Sequence, residues 1–371
     1  MELTLSQFDF SLPSTLIAQE PCAQRDHSRL LVLDRKTGDR EHHIFNQIIE
    51  YLNPGDVLVI NNTRVVPARL EGKKKSGGRV ECLILNCPAG AVFDSYTTSC
   101  LIKARRKIRP GEWLDFGFGL EGEILPPGPN GTAVVRFVFE GSFDGILKKF
   151  GSVPLPPYIK RDGRDDGLPE RDLERYQTVY AHHPGAIAAP TAGLHFSLEF
   201  ITALQEKGVF FAPITLHVGY GTFAPIKTER IAEHKIHSET FQVTAQAAER
   251  IQEQKNRGKR IIAVGTTCVR VLEYQAMKYG TIKPGEGECD LFITPGFDFQ
   301  VIDGLITNFH LPRTTLLLLV SAFAGREKIL RAYQEAIEQG YRFYSYGDAM
   351  LILSANSGQR SADSQLKQVE S

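Results

Sequence analysis

The sequence predicts an α/β fold, a layered α/β main domain interrupted by an inserted small β-barrel domain. Three observations carry this reading. Strand-like and helix-like segments alternate from Val209 to Leu353, the pattern of a sheet covered by helices. The run Val57–Ile60 lacks apolar/polar alternation, so both its faces are buried, as in a central strand. Between Ala68 and Phe150 the helical period disappears, and short β-rich pieces alternate with Gly and Pro, which reads as a barrel or sandwich.

In chain order, Leu30–Leu33 is a strand that enters the turn Lys36-Thr37-Gly38-Asp39, and Asn53-Pro54-Gly55-Asp56 launches Val57–Ile60. Arg79–Leu85, Ser99–Ala104 and Ala133–Phe139 are the β-rich pieces of the insertion. Pro154-Leu155-Pro156-Pro157 is stiff and extended, and a charged, Gly-broken loop runs from Lys160 to Arg171. The return to the main domain therefore falls near Gly151. This gives a discontinuous α/β domain over 1–67 and 151–353, a barrel over 68–150, and a polar tail over 354–371 expected to be disordered. The α/β part continues with strand Val209–Val218, a helix near Ser197 before it, and helix Ala245–Asn256 stopped by Gly258. Strand Arg260–Gly265, a helix through Tyr279, and strand Asp290–Ile293 follow. An apolar helix from Thr314, helix Glu327–Glu338 stopped by Gly340, and strand Ala349–Leu353 complete the pattern.

Composition narrows the function classes. Lys and Arg number 43 against 43 Asp and Glu, which excludes a chain that coats nucleic acid or membrane along its whole length. The opening MELTLSQFDFSLPS has no basic residue and no apolar h-region, and the densest apolar run, Leu316–Ala324, is too short to span a bilayer. A soluble, cytoplasmic protein is expected. The six cysteines form no CxxC pair, so reduced thiols are expected rather than a disulfide framework or Cys-rich zinc site.

Polar clusters stand where strands end, the place where open α/β sheets hold ligands. Asn61-Asn62-Thr63-Arg64 closes the buried Val57–Ile60 run and suits either a polar ligand or a capped turn before Pro67. Thr191-Ala192-Gly193-Leu194-His195 is a loop whose Gly193 lets backbone approach a ligand and whose His195 can relay a proton or simply pack. His217 ends a strand before Gly219-Tyr220-Gly221-Thr222, which lacks the third glycine of a dinucleotide fingerprint. Gly265-Thr266-Thr267, followed by a helix carrying Arg270, suits an anion, with an N-cap as the plain alternative. Asn308 and His310 sit at another strand end, and Asp348 precedes the last strand; His and Asp converging on one cavity would make an acid/base set. His234-x-x-His237-x-Glu239 has ligand types at metal-compatible spacing, but its charged surroundings favour a solvated loop.

Taken together, several segments resemble one family. They are Asn61–Val65, Arg175-Tyr176-Gln177-Thr178-Val179-Tyr180, Ala189–Phe196, His217-Val218-Gly219, Gly265-Thr266-Thr267, Thr307–Pro312, Tyr341-Arg342-Phe343 and Gly347–Met350. The family is the S-adenosylmethionine:tRNA ribosyltransferase-isomerases of queuosine biosynthesis, and the resemblance runs in unbroken order from Phe8 to Leu353. Cys268 and Tyr220 depart from its usual motifs. The resemblance implies an α/β domain interrupted by a β-barrel. It implies transfer of the ribosyl part of S-adenosylmethionine to 7-aminomethyl-7-deazaguanine at the tRNA wobble position, with isomerisation to an epoxycyclopentanediol and release of adenine and methionine. On it, acid or base work is expected of His195, His217, His310 and Asp348. Substrate contacts are expected of Asn61, Asn62, Thr63, Arg64, Thr191, Gly193, Gly219, Gly221, Thr222, Gly265, Thr266, Thr267, Arg270 and Asn308. S-Adenosylmethionine is then a substrate rather than a cofactor, no metal is expected, and the chain is expected to be a monomer.

Charge placement sets where the RNA is expected, with a solvated lysine-rich loop the plain alternative for Lys73, Lys74 and Lys75. Between Arg64 and Pro110 there are eleven basic residues against three acids, a local excess suited to phosphate contacts by Lys73, Lys74, Lys75, Arg105, Arg106, Lys107 and Arg109. Two other readings compete. A Rossmann-type RNA methyltransferase should show a Gly-rich turn after its first strand and an acid ending its second, which this sequence lacks. A non-catalytic tRNA-binding protein would need the basic residues but not the His, Asn and Asp at strand ends.

Overall fold

The computed structural model describes residues 3–87, 92–128, 132–161, 168–219, 226, 228–234, 236 and 238–354. The chain divides into two compact units, one of Met1–Asn61, Thr191–Ile214 and Ala224–Ser371, the other of Asn62–Pro190 and Thr215–Phe223. The second unit is wider than the expected 68–150 insertion, because the sequence on both sides of the barrel stays with it: Thr63–Val65 pairs in parallel with His183–Ala186. The expected tail lies outside the described residues from position 355 onward.

The first unit is built on a nine-stranded sheet. Its order is Gly285–Cys289, Glu239–Val243, Phe210–Leu216, Val57–Asn61, Ile261–Val264, Gly304–Asn308, Ala349–Leu353, Arg29–Asp34 and Arg40–Ile44. Val57–Asn61 is buried at every position, as the unbroken apolar run requires. It pairs in parallel with Phe210–Leu216 and Ile261–Val264, and the latter pairs in parallel with Gly304–Asn308. Ala349–Leu353 runs antiparallel to Gly304–Asn308 and parallel to Arg29–Asp34. Consequently the ends of Val57–Asn61, Ile261–Val264 and Gly304–Asn308 share one edge of the sheet with the starts of Ala349–Leu353 and Arg29–Asp34. That edge gathers Asn61, Gly265, Asn308, Asp348 and Ser28.

Local chemistry sets the helices. Thr244, Thr314 and Ser197 each accept a backbone N–H three residues on and start Ala245–Asn256, Thr315–Ala324 and Leu198–Glu206. Thr266–Tyr279 ends at Gly280 in the left-handed region (φ +70°). The strand expected at Asp290–Ile293 is instead Gly285–Cys289, a polar sheet edge. Gly287 explains the unusual composition: a Cβ there would lie 3.0 Å from the Phe241 ring of the paired strand.

The second unit holds a closed barrel in the order Ala133–Ser142, Phe93–Ala104, Arg79–Ile84, Arg69–Lys74, Trp113–Asp115 and Glu121–Leu125. Inward side chains such as Leu70, Cys82, Cys100, Leu114, Val135 and Phe137 form its core. Two helices occur where none was expected: Phe143–Phe150, capped by Ser142, and Leu168–Arg175, which replaces the end of the charged loop.

Candidate functional site

At the shared edge of the large sheet the polar side chains are bonded to one another. Thr191–His195 forms a 3₁₀ turn, with Ala192, Gly193, Leu194 and His195 buried. The Thr191 hydroxyl donates to Asn308 Oδ1 (3.0 Å), which turns Asn308 Nδ2 toward His195 Nε2 at 3.1 Å. Nε2 is therefore the acceptor nitrogen, and Nδ1 carries the proton and donates to Ser28 Oγ at 2.7 Å. The ring stacks on Phe45, centroid to centroid 5.1 Å. Burial, then the guanidiniums of Arg342 and Arg25, pull His195 down to about 3. The imidazole is thus a fixed, neutral, Nδ1-protonated ring.

His310 is likewise buried. Its Nε2 lies 2.9 Å from Thr307 Oγ1, its backbone N–H donates to the Tyr333 hydroxyl, and burial brings it to about 3. Asp348 is 1% exposed. Its carboxylate accepts the backbone N–H groups of Arg29 (3.0 Å) and Arg342 (2.7 Å) and the Arg342 guanidinium (3.3 Å). These bonds make Asp348 an anchor that fixes Arg342 beside His195.

Gly265 begins Thr266–Tyr279 with φ +92°, a conformation that glycine takes without strain. No side chain caps this N-terminus, so its first amide N–H groups lie outside the helical ladder. The Thr267 hydroxyl is buried with no hydrogen-bond partner among the described residues beyond a weak contact with the Cys268 thiol. A helix N-terminus with spare donors suits an anion. Arg270, expected to help there, does not: its three nitrogens go to Glu239, with which it forms a buried ion pair, and to the carbonyls of Leu291 and Cys289. The same pair occupies Glu239, one of the three metal-type side chains weighed from sequence; His237 lies outside the described residues.

The other candidates belong to the second unit. His217 is half-buried, and its Nδ1 lies 2.8 Å from Thr63 Oγ1, which also donates to the His183 carbonyl at 3.4 Å. The direction of the Thr63–His217 bond follows the ring's tautomer, and Nε2 has no hydrogen-bond partner among the described residues. The ring lies against Gly185, where a Cβ would stand 2.7 Å from the imidazole Cε1. Burial, with His183 nearby, lowers its basicity. Asn62 Oδ1 accepts from the Thr215 hydroxyl (2.7 Å), and Arg64 is exposed. Gly219 is described, whereas Gly221 and Thr222 lie outside the described residues. Asn61, at the end of its strand in the first unit, is fully buried.

Lys75, Arg106, Lys107 and Arg109 line an open cleft of roughly 790 Å³ on the barrel unit, together with Trp113 and Glu112. Lys74 also reaches it but is spent internally, donating to the carbonyls of Arg106 (3.1 Å) and Lys107 (3.2 Å) and pairing with Glu112 at 3.4 Å. It is a staple beneath the cleft rather than a free cation. Lys73 and Arg105 are exposed but do not line it. Ser28, Phe45, Arg25, Arg342 and Trp113 escaped the sequence-based selection. Only Trp113 carried a readable sign, an aromatic residue in a basic stretch.

The model of a family described as "Queuosine biosynthesis protein" matches residues 5–352. The chain is 52% identical over 352 residues to an S-adenosylmethionine:tRNA ribosyltransferase-isomerase of Carboxydothermus hydrogenoformans, covering 95% of this chain and 100% of the relative. It is 50% identical over 353 residues to the protein of the same name from Desulfitobacterium hafniense, again over 95% and 100%. Among solved structures, it is similar to the crystal structure of S-adenosylmethionine tRNA ribosyltransferase from Thermotoga maritima. That match has 39% identity, covers 94% of this chain and 100% of the other, and has a TM-score of 0.52.

Proposed function

The chain belongs to the queuosine biosynthesis protein family and is a tRNA-modifying transferase; from that premise we propose how its residues divide the work. S-Adenosylmethionine is the ribosyl donor and tRNA bearing 7-aminomethyl-7-deazaguanine the acceptor. The exocyclic amine bonds to a ribosyl carbon, the bonds to adenine and to the sulfonium sulfur break, and adenine and methionine depart. The sulfonium acidifies the neighbouring C5′ protons and leaves as a neutral thioether, so a base is the first requirement.

The observation that carries the reading is the full-length similarity, at about half identity, to relatives of that name. Among the four acid/base candidates, His217 and His310 each keep one ring nitrogen without a hydrogen-bond partner among the described residues; His217 is the half-buried one of the two, and we assign proton abstraction to its Nε2, with Nδ1 donating to Thr63. His195 and His310, held neutral, do not supply an imidazolium near neutral pH. With Thr191 and Asn308 they fix the sheet edge, and the donors at Gly265, Thr266 and Thr267 suit an anion. We propose that no metal is required: activity should survive EDTA with tRNA folding controlled. No helix among the described residues is long and apolar enough to cross a membrane; we propose that the chain works on tRNA in the cytoplasm, as a monomer.

The test is mass spectrometry of tRNA and small molecules after incubation with S-adenosylmethionine. An epoxycyclopentanediol gain with stoichiometric adenine and methionine is expected. S-Adenosylhomocysteine with methylated tRNA would make the chain a methyltransferase, and unaltered tRNA would make it a binding protein.

A further inference from the structure

The barrel cleft holds more than charge. Its floor is set by Lys74, 12% exposed, whose ammonium ties the hairpin after Arg69–Lys74 to the carbonyls of Arg106 and Lys107. That hairpin turns through Gly77 (φ +86°), with the Lys74 N–H bonded to the Gly78 carbonyl. On the opposite side, the Glu112 N–H donates to the Arg109 carbonyl and the Arg109 N–H to Glu112 Oε1 (3.1 Å each), so the approach to Trp113 is a closed turn. These bonds hold both walls in place. Lys75, Arg106, Lys107 and Arg109, by contrast, have no carboxylate partner among the described residues.

Between the walls stands Trp113, half-buried at the start of the short strand Trp113–Asp115, with the Lys75 ammonium 5.8 Å from the ring centroid. An acidic protein partner would be matched by the cations alone. An indole among cations that lack a carboxylate partner among the described residues matches a strand that offers a flat base and a phosphate at each step. A-form duplex hides its base faces within the stack, whereas a loop presents them.

We propose that Trp113 is a stacking platform for one unpaired nucleotide of the anticodon loop, with the flanking phosphates held by Lys75, Arg106, Lys107 and Arg109. The proposal rests on the reading of the chain as a tRNA-modifying transferase and adds the site and the mode of recognition. It separates one contact that reads an unpaired base from several that read only charge. Trp113→Ala should therefore raise the KM for tRNA about 10-fold while kcat at saturating tRNA holds, because one base stack on an aromatic ring is worth about 1–3 kcal/mol. Trp113→Phe should recover most of the loss.

The chain has one tryptophan, so its indole fluorescence reports Trp113 alone. Titrating the full chain, without S-adenosylmethionine, with an anticodon stem-loop RNA should quench that fluorescence to saturation. A duplex of the stem sequence closed at both ends should bind through charge with little quenching. Equal quenching by the closed duplex or by heparin would overturn base stacking in favour of bare electrostatics. So would an unchanged signal at saturating stem-loop, or a normal KM in Trp113→Ala. Because the titration needs no turnover, its outcome is independent of whether adenine and methionine are released. A misfolded variant is recognised by a changed KM for S-adenosylmethionine, which should stay at the wild-type value in Trp113→Ala and Trp113→Phe.

Discussion

At the sheet edge of the first unit the polar side chains are bonded to each other, whereas around the barrel cleft four cations have no carboxylate partner among the described residues. Thr191, Asn308, His195 and Ser28 form one chain of hydrogen bonds, and Asp348 is filled by three donors. Lys75, Arg106, Lys107 and Arg109 face an open space. The first arrangement is rigid and selective, since removing a member strands its neighbours. The second is permissive, since each contact adds to affinity separately. Buried networks of the first kind serve to hold reacting groups in place, and fields of the second kind serve to gather a large polyanion.

The sharpest way to break this contrast is at His217, the half-buried imidazole whose Nε2 has no partner among the described residues. His217→Ala should lower kcat by about 10²–10⁴-fold, the usual worth of a general base, with little change in stability. Normal turnover would move the base elsewhere. Next comes the anchor: Asp348→Ala leaves two backbone N–H groups and the Arg342 guanidinium without their acceptor, at a cost of about 3 kcal/mol in urea unfolding. A stability loss below about 1 kcal/mol would mean that water replaces the carboxylate and that the edge is less rigid than argued.

The cleft should respond more gently. Reversing Arg106 and Lys107 to Glu should raise the KM for tRNA about 10-fold, and flatten its log–log salt dependence by about 0.7–0.9 for each lost contact. Arg105→Glu, outside the cleft, should do less, and equal effects would mean that the cleft is not the contact surface. The smallest effect is acid sensitivity. His195 and His310 are held at about 3 in the folded chain, against 6.5 for a free imidazole. The unfolded chain therefore takes up protons first as pH falls. Stability is intact above about 6.5 and declines below it toward 3, by about 1.4 kcal/mol per pH unit for each ring. Unfolding free energies at about pH 7.5 and 5 measure this slope, and His310→Gln should make it shallower.

These contrasts also explain what was legible in the sequence. The helices starting after Ser197, Thr244 and Thr314 could be read because a cap and its first turn are neighbours in the chain. Gly285–Cys289 could not, because an exposed edge strand rich in Gly and Glu has neither apolar period nor β-branched content. Trp113–Asp115 is too short for any period to register. At the site, Asn308 and His195 were visible singly, but their bond spans 113 positions. The commitment of Arg270 was hidden for the same reason, its Glu239 partner lying 31 positions away on a strand. Residue type advertises what a group can do, and only the fold decides whether another group has already claimed it.

The place of Ala349–Leu353 bears on biosynthesis. It lies between Gly304–Asn308 and Arg29–Asp34, and the strand pair Arg29–Asp34 and Arg40–Ile44 joins the sheet only through it. Residues made among the first must therefore wait for residues made more than 300 positions later, a long-range pairing that closes slowly. Asp348 and Ser28 meet the edge only when that strand is inserted. On the ribosome, a nascent chain of this sequence cannot complete its large sheet until residue 353 has emerged.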